Sequence, residues 1–141
     1  MTIRAALLVP VTIAVLTATG PAWAAVPVIG KWVTAGKDSV VEIAPCGQKL
    51  CGKVAKLLKP AEGGPPTDRN NPDPALKSRP LVGLPILTDF VDAGGQWAGT
   101  IYDPRNGKSY RSNVAKNPDG TLKVQGCIAF FCQTQTWTAA K

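Results

Sequence analysis

The chain has no histidine, and its single methionine is Met1. Without imidazole there is no Ser-His-Asp or Cys-His pair, no histidine general base and no histidine-supported metal site. Most hydrolase mechanisms are excluded on that ground. The basic residues, 16 against 9 acidic ones for a net charge of +7, are scattered along the chain. They never form the clustered, aromatic-interleaved patches of a nucleic-acid binder, so no nucleic-acid partner is expected. The positive excess suits solubility, or a place near an anionic cell envelope. Beyond the first two dozen residues no apolar run reaches membrane-spanning length. Helical periodicity is also missing, which disfavours a parallel sheet with crossover helices.

What is present begins with a leader pattern. Arg4 supplies a positive start, AALLVPVTIAVLTA an apolar stretch, and Pro21-Ala22-Trp23-Ala24 an A-x-A cleavage site. These features predict a signal peptide over residues 1–24 and a mature single domain over residues 25–141. A periplasmic or secreted location follows, where disulfides are permitted. The first cysteine is Cys46, too far from the cut to carry a lipid anchor.

The mature stretch alternates short β-like runs with turn chemistry. Gly30–Thr34, SVVEIAPC, CGKVAKLL, LPILTDFV, QWAGTIY, KSYRSNVAK, TLKVQGCIAF and CQTQTWTAA read as strands. In the second, Val41 and Ile43 share a face opposite Glu42; in the third, Val54 and Leu58 share one. Asp103-Pro104-Arg105-Asn106-Gly107 and Asn117-Pro118-Asp119-Gly120 are strong turn signals. About eight strands at this spacing predict an all-β fold, and sequential hairpins favour an antiparallel up-and-down barrel over a sandwich.

One long loop, residues 59–83, interrupts the hairpins. Asp73 is placed to cap a short helical turn with Pro74 at its first position, and Arg79 before Pro80 is expected to end it. Asp68, Asn71 and Asp73 suit Asx-turns that order the loop. A calcium loop of EF type needs an oxygen ligand and then glycine where this chain has Pro72 and Asp73, so no metal site is assigned.

Four cysteines fall in two pairs of equal spacing, Cys46/Cys51 and Cys127/Cys132. Zinc binding by four converging thiolates is one reading. Redox catalysis would call for a C-x-x-C at a strand-to-helix corner, which the sequence does not contain. An oxidising compartment favours a disulfide within each pair, across successive strands. The connectivity 46–127 with 51–132 stays open.

Gly30-Lys31-Trp32 followed by VVEI, the PCGQKLCG turn, DRNNPDPALKSRPLVGLPIL, IYDPRNGKSY and LKVQGCIAFFCQTQTW together resemble the bacterial family known as domain of unknown function 2147. The resemblance runs from Gly30 to Trp137. Its hallmark positions match Gly30, Trp32, Glu42, Cys51, Gly52, Asp68, Asn71, Pro72, Arg79, Gly83, Tyr102, Gly107, Tyr110 and Trp137. It implies a small secreted protein and says little about activity. The G-x-W at the first strand is also similar to lipocalin and avidin-like barrels, whose interiors hold small ligands.

Candidate ligand-binding residues are Trp32, Glu42, Arg79, Tyr102, Tyr110, Gln133, Gln135 and Trp137. Arg79 is the natural clamp for an anion, or else a tie holding the loop to Glu42 or Asp68. Alternation in the last strand carries Gln133 and Gln135 to whichever side Trp137 faces. If that side is the interior, two glutamines imply a polar, ligand-holding lumen. The aromatic residues, Trp97 included, can equally fill a small core. The leading expectation is non-enzymatic binding of a small or amphipathic ligand, with no cofactor. A filled-barrel envelope protein that meets a protein partner is the alternative. A carboxylate enzyme built on Glu42 and Asp68 comes third.

Overall fold

The computed structural model describes residues 24–59 and 66–141, so residues 1–23 of the expected leader and 60–65 of the long loop lie outside the described residues. Eight strands follow in chain order: β1 Gly30–Val33, β2 Ser39–Cys46, β3 Lys49–Leu57, β4 Pro85–Asp92, β5 Trp97–Asp103, β6 Lys108–Lys116, β7 Leu122–Ile128 and β8 Phe131–Ala139. Each pairs antiparallel with the next, and β1 closes on β8 through Trp32↔Ala139 and Val33↔Thr138. The expected up-and-down barrel is therefore the fold. Closure leaves no sheet edge unpaired, which is how a meander of this kind avoids open hydrogen-bonding groups.

Up-and-down topology sorts the connections between two ends. The β2–β3, β4–β5 and β6–β7 turns lie at one end, and the other four connections lie at the opposite end. At the first end the core is solid. Trp32, Ile43, Leu50, Leu87, Phe90, Val114 and Leu122 are buried there with Val28 from the segment before β1. That segment plugs the end: the Trp32 indole donates to the Val28 carbonyl at 2.9 Å, and the Trp97 indole to the Val26 carbonyl at 3.0 Å. Gly99 makes the packing possible, since a Cβ there would stand 2.5 Å from the Phe90 ring. Only a void of about 10 Å³ remains among Val28, Ile43, Leu50 and their neighbours.

Three details depart from expectation. Leu57, not Leu58, shares the inner face with Val54; Leu58 is 41% exposed. The cause is a β-bulge opposite Val40 and Val41, where Val40 pairs with Lys56 and Val41 with Val54. One extra residue in β3 exchanges the two faces beyond it. In the long loop, Asp73 does cap a turn with Pro74 first, its carboxylate accepting from the Ala75 amide at 3.0 Å. That turn is a single 3-10 turn, Pro74–Leu76, which ends before Arg79. The last hairpin is also tighter than expected: β8 begins at Phe131, and only Ala129 and Phe130 make the turn.

Both disulfides form within the local pairs, Cys46–Cys51 and Cys127–Cys132. The crossed connectivity is ruled out by the fold, because the β2–β3 and β7–β8 hairpins sit at opposite ends of the barrel.

Candidate functional site

Above the packed end the barrel is hollow. A cavity of about 680 Å³ opens at the end formed by the β1–β2, β3–β4, β5–β6 and β7–β8 connections. Its walls are largely apolar, from Val41, Val54, Leu57, Ile86, Ile101 and Val124, with Trp137 among them. Pockets of this size are typical of small-ligand sites.

Polar groups enter at defined places. In β8 the alternation runs as the sequence requires: Gln133, Gln135 and Trp137 line the lumen. Thr134 points away and accepts from Gln125 at 3.1 Å. The Trp137 indole donates to the Gln135 side-chain oxygen Oε1 at 3.1 Å, which fixes that side chain. Tyr102 and Tyr110 also line the space. The Tyr110 hydroxyl accepts from Asn106 at 2.8 Å, joining the lumen to the β5–β6 turn.

The rim carries charge. Asp38, Lys59, Asp103 and Arg105 border the opening. Arg105 grips Asp103 through two bonds of 2.9 Å, holding that carboxyl below its ordinary range even though burial pushes the other way. The same contact raises the pKa of Arg105. Asp38 accepts from Thr34 at 2.6 Å and from Ser39 at 3.1 Å, and the Thr34 bond is the main reason its pKa is lowered.

Behind the rim, Asp68 is fully buried and organises the long loop. It accepts from the Tyr102 hydroxyl at 2.6 Å, Asn71 at 2.8 Å, and Arg79 Nε and Nη2 at 3.0 and 2.9 Å. Burial alone would raise its pKa, but these donors outweigh it and the net shift is downward. Burial and the bond to Asp68 push the Tyr102 hydroxyl upward. The Arg79 guanidinium also lies 6.0 Å from the centre of the Tyr102 ring. A second tie comes from Asn70, whose amide donates to the Pro104 and Arg105 carbonyls at 3.1 and 3.0 Å. Gly107, with φ of 69°, is required beneath it, because any Cβ would collide with the Asn70 carbonyl.

The candidate residues thus divide. Tyr102, Tyr110, Gln133, Gln135 and Trp137 reach the lumen. Trp32 does not; it is buried in the packed end. Glu42 does not either. With Val41 and Ile43 buried, it falls on the outer face, 3.8 Å from Lys31 and opposite Lys53. Arg79 serves as the loop tie, to Asp68 and not to Glu42. Glu42 and Asp68 make no convergent acid pair: the first is on the outer wall, the second is enclosed by its own donors. Sequence reading missed the rim group of Asp38, Lys59, Asp103 and Arg105. The turn signals around it were visible, but which turns share an end depends on closure.

A family model described as "Uncharacterized protein conserved in bacteria (DUF2147)" matches residues 30–139. The chain belongs to this family. No curated protein matches it. Among solved structures, protein HP1028 from the human pathogen Helicobacter pylori, described as belonging to the lipocalin family, matches with a TM-score of 0.70. Identity is 24%, and the match covers 82% of this chain and 84% of that one. That likeness establishes a lipocalin-like barrel for this DUF2147 chain, as the G-x-W motif and the hairpin spacing implied.

Proposed function

We propose that this DUF2147 protein is an exported carrier that holds a small amphipathic molecule in its barrel. The observation that carries the reading is the 680 Å³ cavity, apolar along its walls and polar at Gln133, Gln135, Tyr110 and the rim. An apolar ligand body gains from leaving water for such walls, at about 25 cal/mol per Å² buried. Two adjacent amides and a ring of charge can then fix the polar end, which is how a few placed groups give a greasy pocket its specificity. The leader pattern before Ala25 and two disulfides support a periplasmic or secreted location. The Helicobacter pylori lipocalin supports the reading only through shared fold, a weaker warrant than the cavity itself.

Native mass spectrometry of protein purified from its own periplasm tests this directly: a non-covalent adduct of a few hundred daltons is expected. Titration with the amphipathic dye 1-anilinonaphthalene-8-sulfonate, followed by the dye's own fluorescence, gives a second readout. A barrel that leaves the cell empty and ignores a panel of amphipathic probes would refute the carrier reading.

A further inference from the structure

The β7–β8 hairpin ends in Ile128-Ala129-Phe130-Phe131, and its apolar side chains stand in water. Ile128 is 66% exposed, Phe131 85% and Phe130 fully so. Phe130 and Phe131 are two of the chain's three phenylalanines. Exposed large apolar groups on one contiguous tip mark an interaction site more often than chance.

The tip is also held rigid and strained. Cys127 and Cys132 close it immediately behind the turn, and Arg111 Nη2 donates to the Ala129 carbonyl at 2.7 Å. Ala129 adopts φ of 51°, a left-handed conformation that glycine would take without cost. A stiff, strained turn presenting two bare aromatic rings has no stabilising role within the barrel, and strain of this kind gathers at functional sites.

Its position and its surroundings identify the occupant. The hairpin belongs to the open end, and Ile128 and Phe131 themselves border the cavity. Among the described residues of the connections at the same end, Lys37, Lys59, Arg69 and Lys77 outnumber the carboxylates Asp38 and Asp73, with Arg111 beside the tip, while the Asp103–Arg105 and Asp68–Arg79 pairs cancel. A narrow convex tip is too small for a stable protein interface, which needs a broad complementary patch. It has the form of an interfacial wedge: aromatic and aliphatic side chains enter the headgroup boundary while nearby cations meet anionic lipid.

We propose that this protein docks its open end onto an anionic phospholipid bilayer, with the disulfide-closed Phe130-Phe131 tip inserted. Docking would face the cavity mouth toward the lipid, so that an amphipath passes between bilayer and barrel without crossing water. The docking step stands whether or not the carrier reading does, since it rests on the exposed Phe130-Phe131 tip and the charge around it and needs no ligand in the lumen.

Vesicle co-sedimentation of the exported protein provides the test. At low salt, binding to phosphatidylcholine vesicles containing phosphatidylglycerol should be at least tenfold tighter than to pure phosphatidylcholine, and should weaken as salt rises. The paired substitution F130S/F131S should reduce binding at least tenfold, and K37E/K59E should reduce the preference for anionic vesicles. A single Phe130→Trp variant should show blue-shifted emission on anionic vesicles, independent of how well the double variant folds. The proposal is overturned by absence of binding to anionic vesicles, by equal binding to neutral ones, or by F130S/F131S binding as the unaltered protein does. Unshifted emission from the indole added in the Phe130→Trp variant would overturn it too, as would a dimer dispersed by F130S/F131S in a protein that ignores vesicles.

Discussion

The backbone nitrogen of Ala25 lies 2.9 Å from Asp92 Oδ2, at the packed end of the barrel. Ala25 is buried, and residue 25 is where the leader pattern places the start of the mature chain. An amide in that position makes a hydrogen bond; an α-ammonium freed by cleavage would make an ion pair with the same oxygen. The segment of residues 25–29 that plugs this end is thereby tied to Asp92, the last residue of β4, by the atom that cleavage after Ala24 would expose.

A protein beginning at Ala25 should accordingly melt higher than one carrying extra residues before it. Asp92→Asn should remove that difference. The Asp92 carboxyl is depressed below its ordinary range, first by the Gly94 amide and then by Ala25. A depressed carboxylate stabilises above its unfolded pKa of about 3.9 and loses that contribution as pH falls through the folded value. Thermal melts at pH 7 and at successively acid pH, on both proteins, provide the check; identical profiles would discount the ion pair.

Asp68→Ala should be the most damaging single change in the long loop. It strands the Tyr102 O–H donor and the Arg79 guanidinium, and leaves the Asn71 amide only its 3.2 Å bond to the Tyr102 oxygen. Losing one partner of such a cluster costs on the order of 3 kcal/mol. Urea unfolding gives the number. Because the Asp68 pKa is lowered in the folded state, its contribution is present at neutral pH and is lost as the medium becomes acid.

Ser112→Ala should leave stability unchanged or raise it by about 1 kcal/mol. The Ser112 hydroxyl is fully buried and has no hydrogen-bond partner among the described residues. Taking it away removes a desolvated polar group and very little volume. A clear loss of stability would mean that the hydroxyl has a function in the interior that packing does not explain.

Gly126→Phe should empty the site of ligand without unfolding the barrel. A Cβ at this position meets only Ile101 and Tyr110, at ordinary contact distances of 3.7 and 3.9 Å, and the residue lines the lumen. A ring built outward from it occupies the space that a ligand would take. Dye affinity should fall at least tenfold while the melting curve keeps its shape; undiminished affinity would place the binding elsewhere.

Much of the architecture was legible in local chemistry. SVVEIAPC and KSYRSNVAK are strands with the boundaries their alternation and flanking turns set. Asp73 followed by Pro74 made a capped turn because a cap needs only its neighbours. The inward Gln133-Gln135-Trp137 row was implied as soon as one member was oriented, since side chains on a strand alternate strictly. Glu42 and Leu58 were less tractable. Choosing the face of Glu42 required knowing that Val41 and Ile43 point inward, and the Leu58 reading failed on a bulge that adds one residue to β3 and leaves no mark in the sequence.

What the chain determined by itself was therefore the repertoire: short antiparallel strands, their turns, and the exclusion of histidine chemistry; the cysteine connectivity waited for the fold. What only the tertiary structure decided was which parts meet. The hollow at one end, the rim that carries both Lys59 and Arg105, and the bond of Asp68 to Tyr102 all depend on residues far apart in sequence. The physical reason is one of range. Turn and strand preferences act over a few residues, whereas barrel closure fixes which connections share an end and how much of the interior the side chains are able to fill.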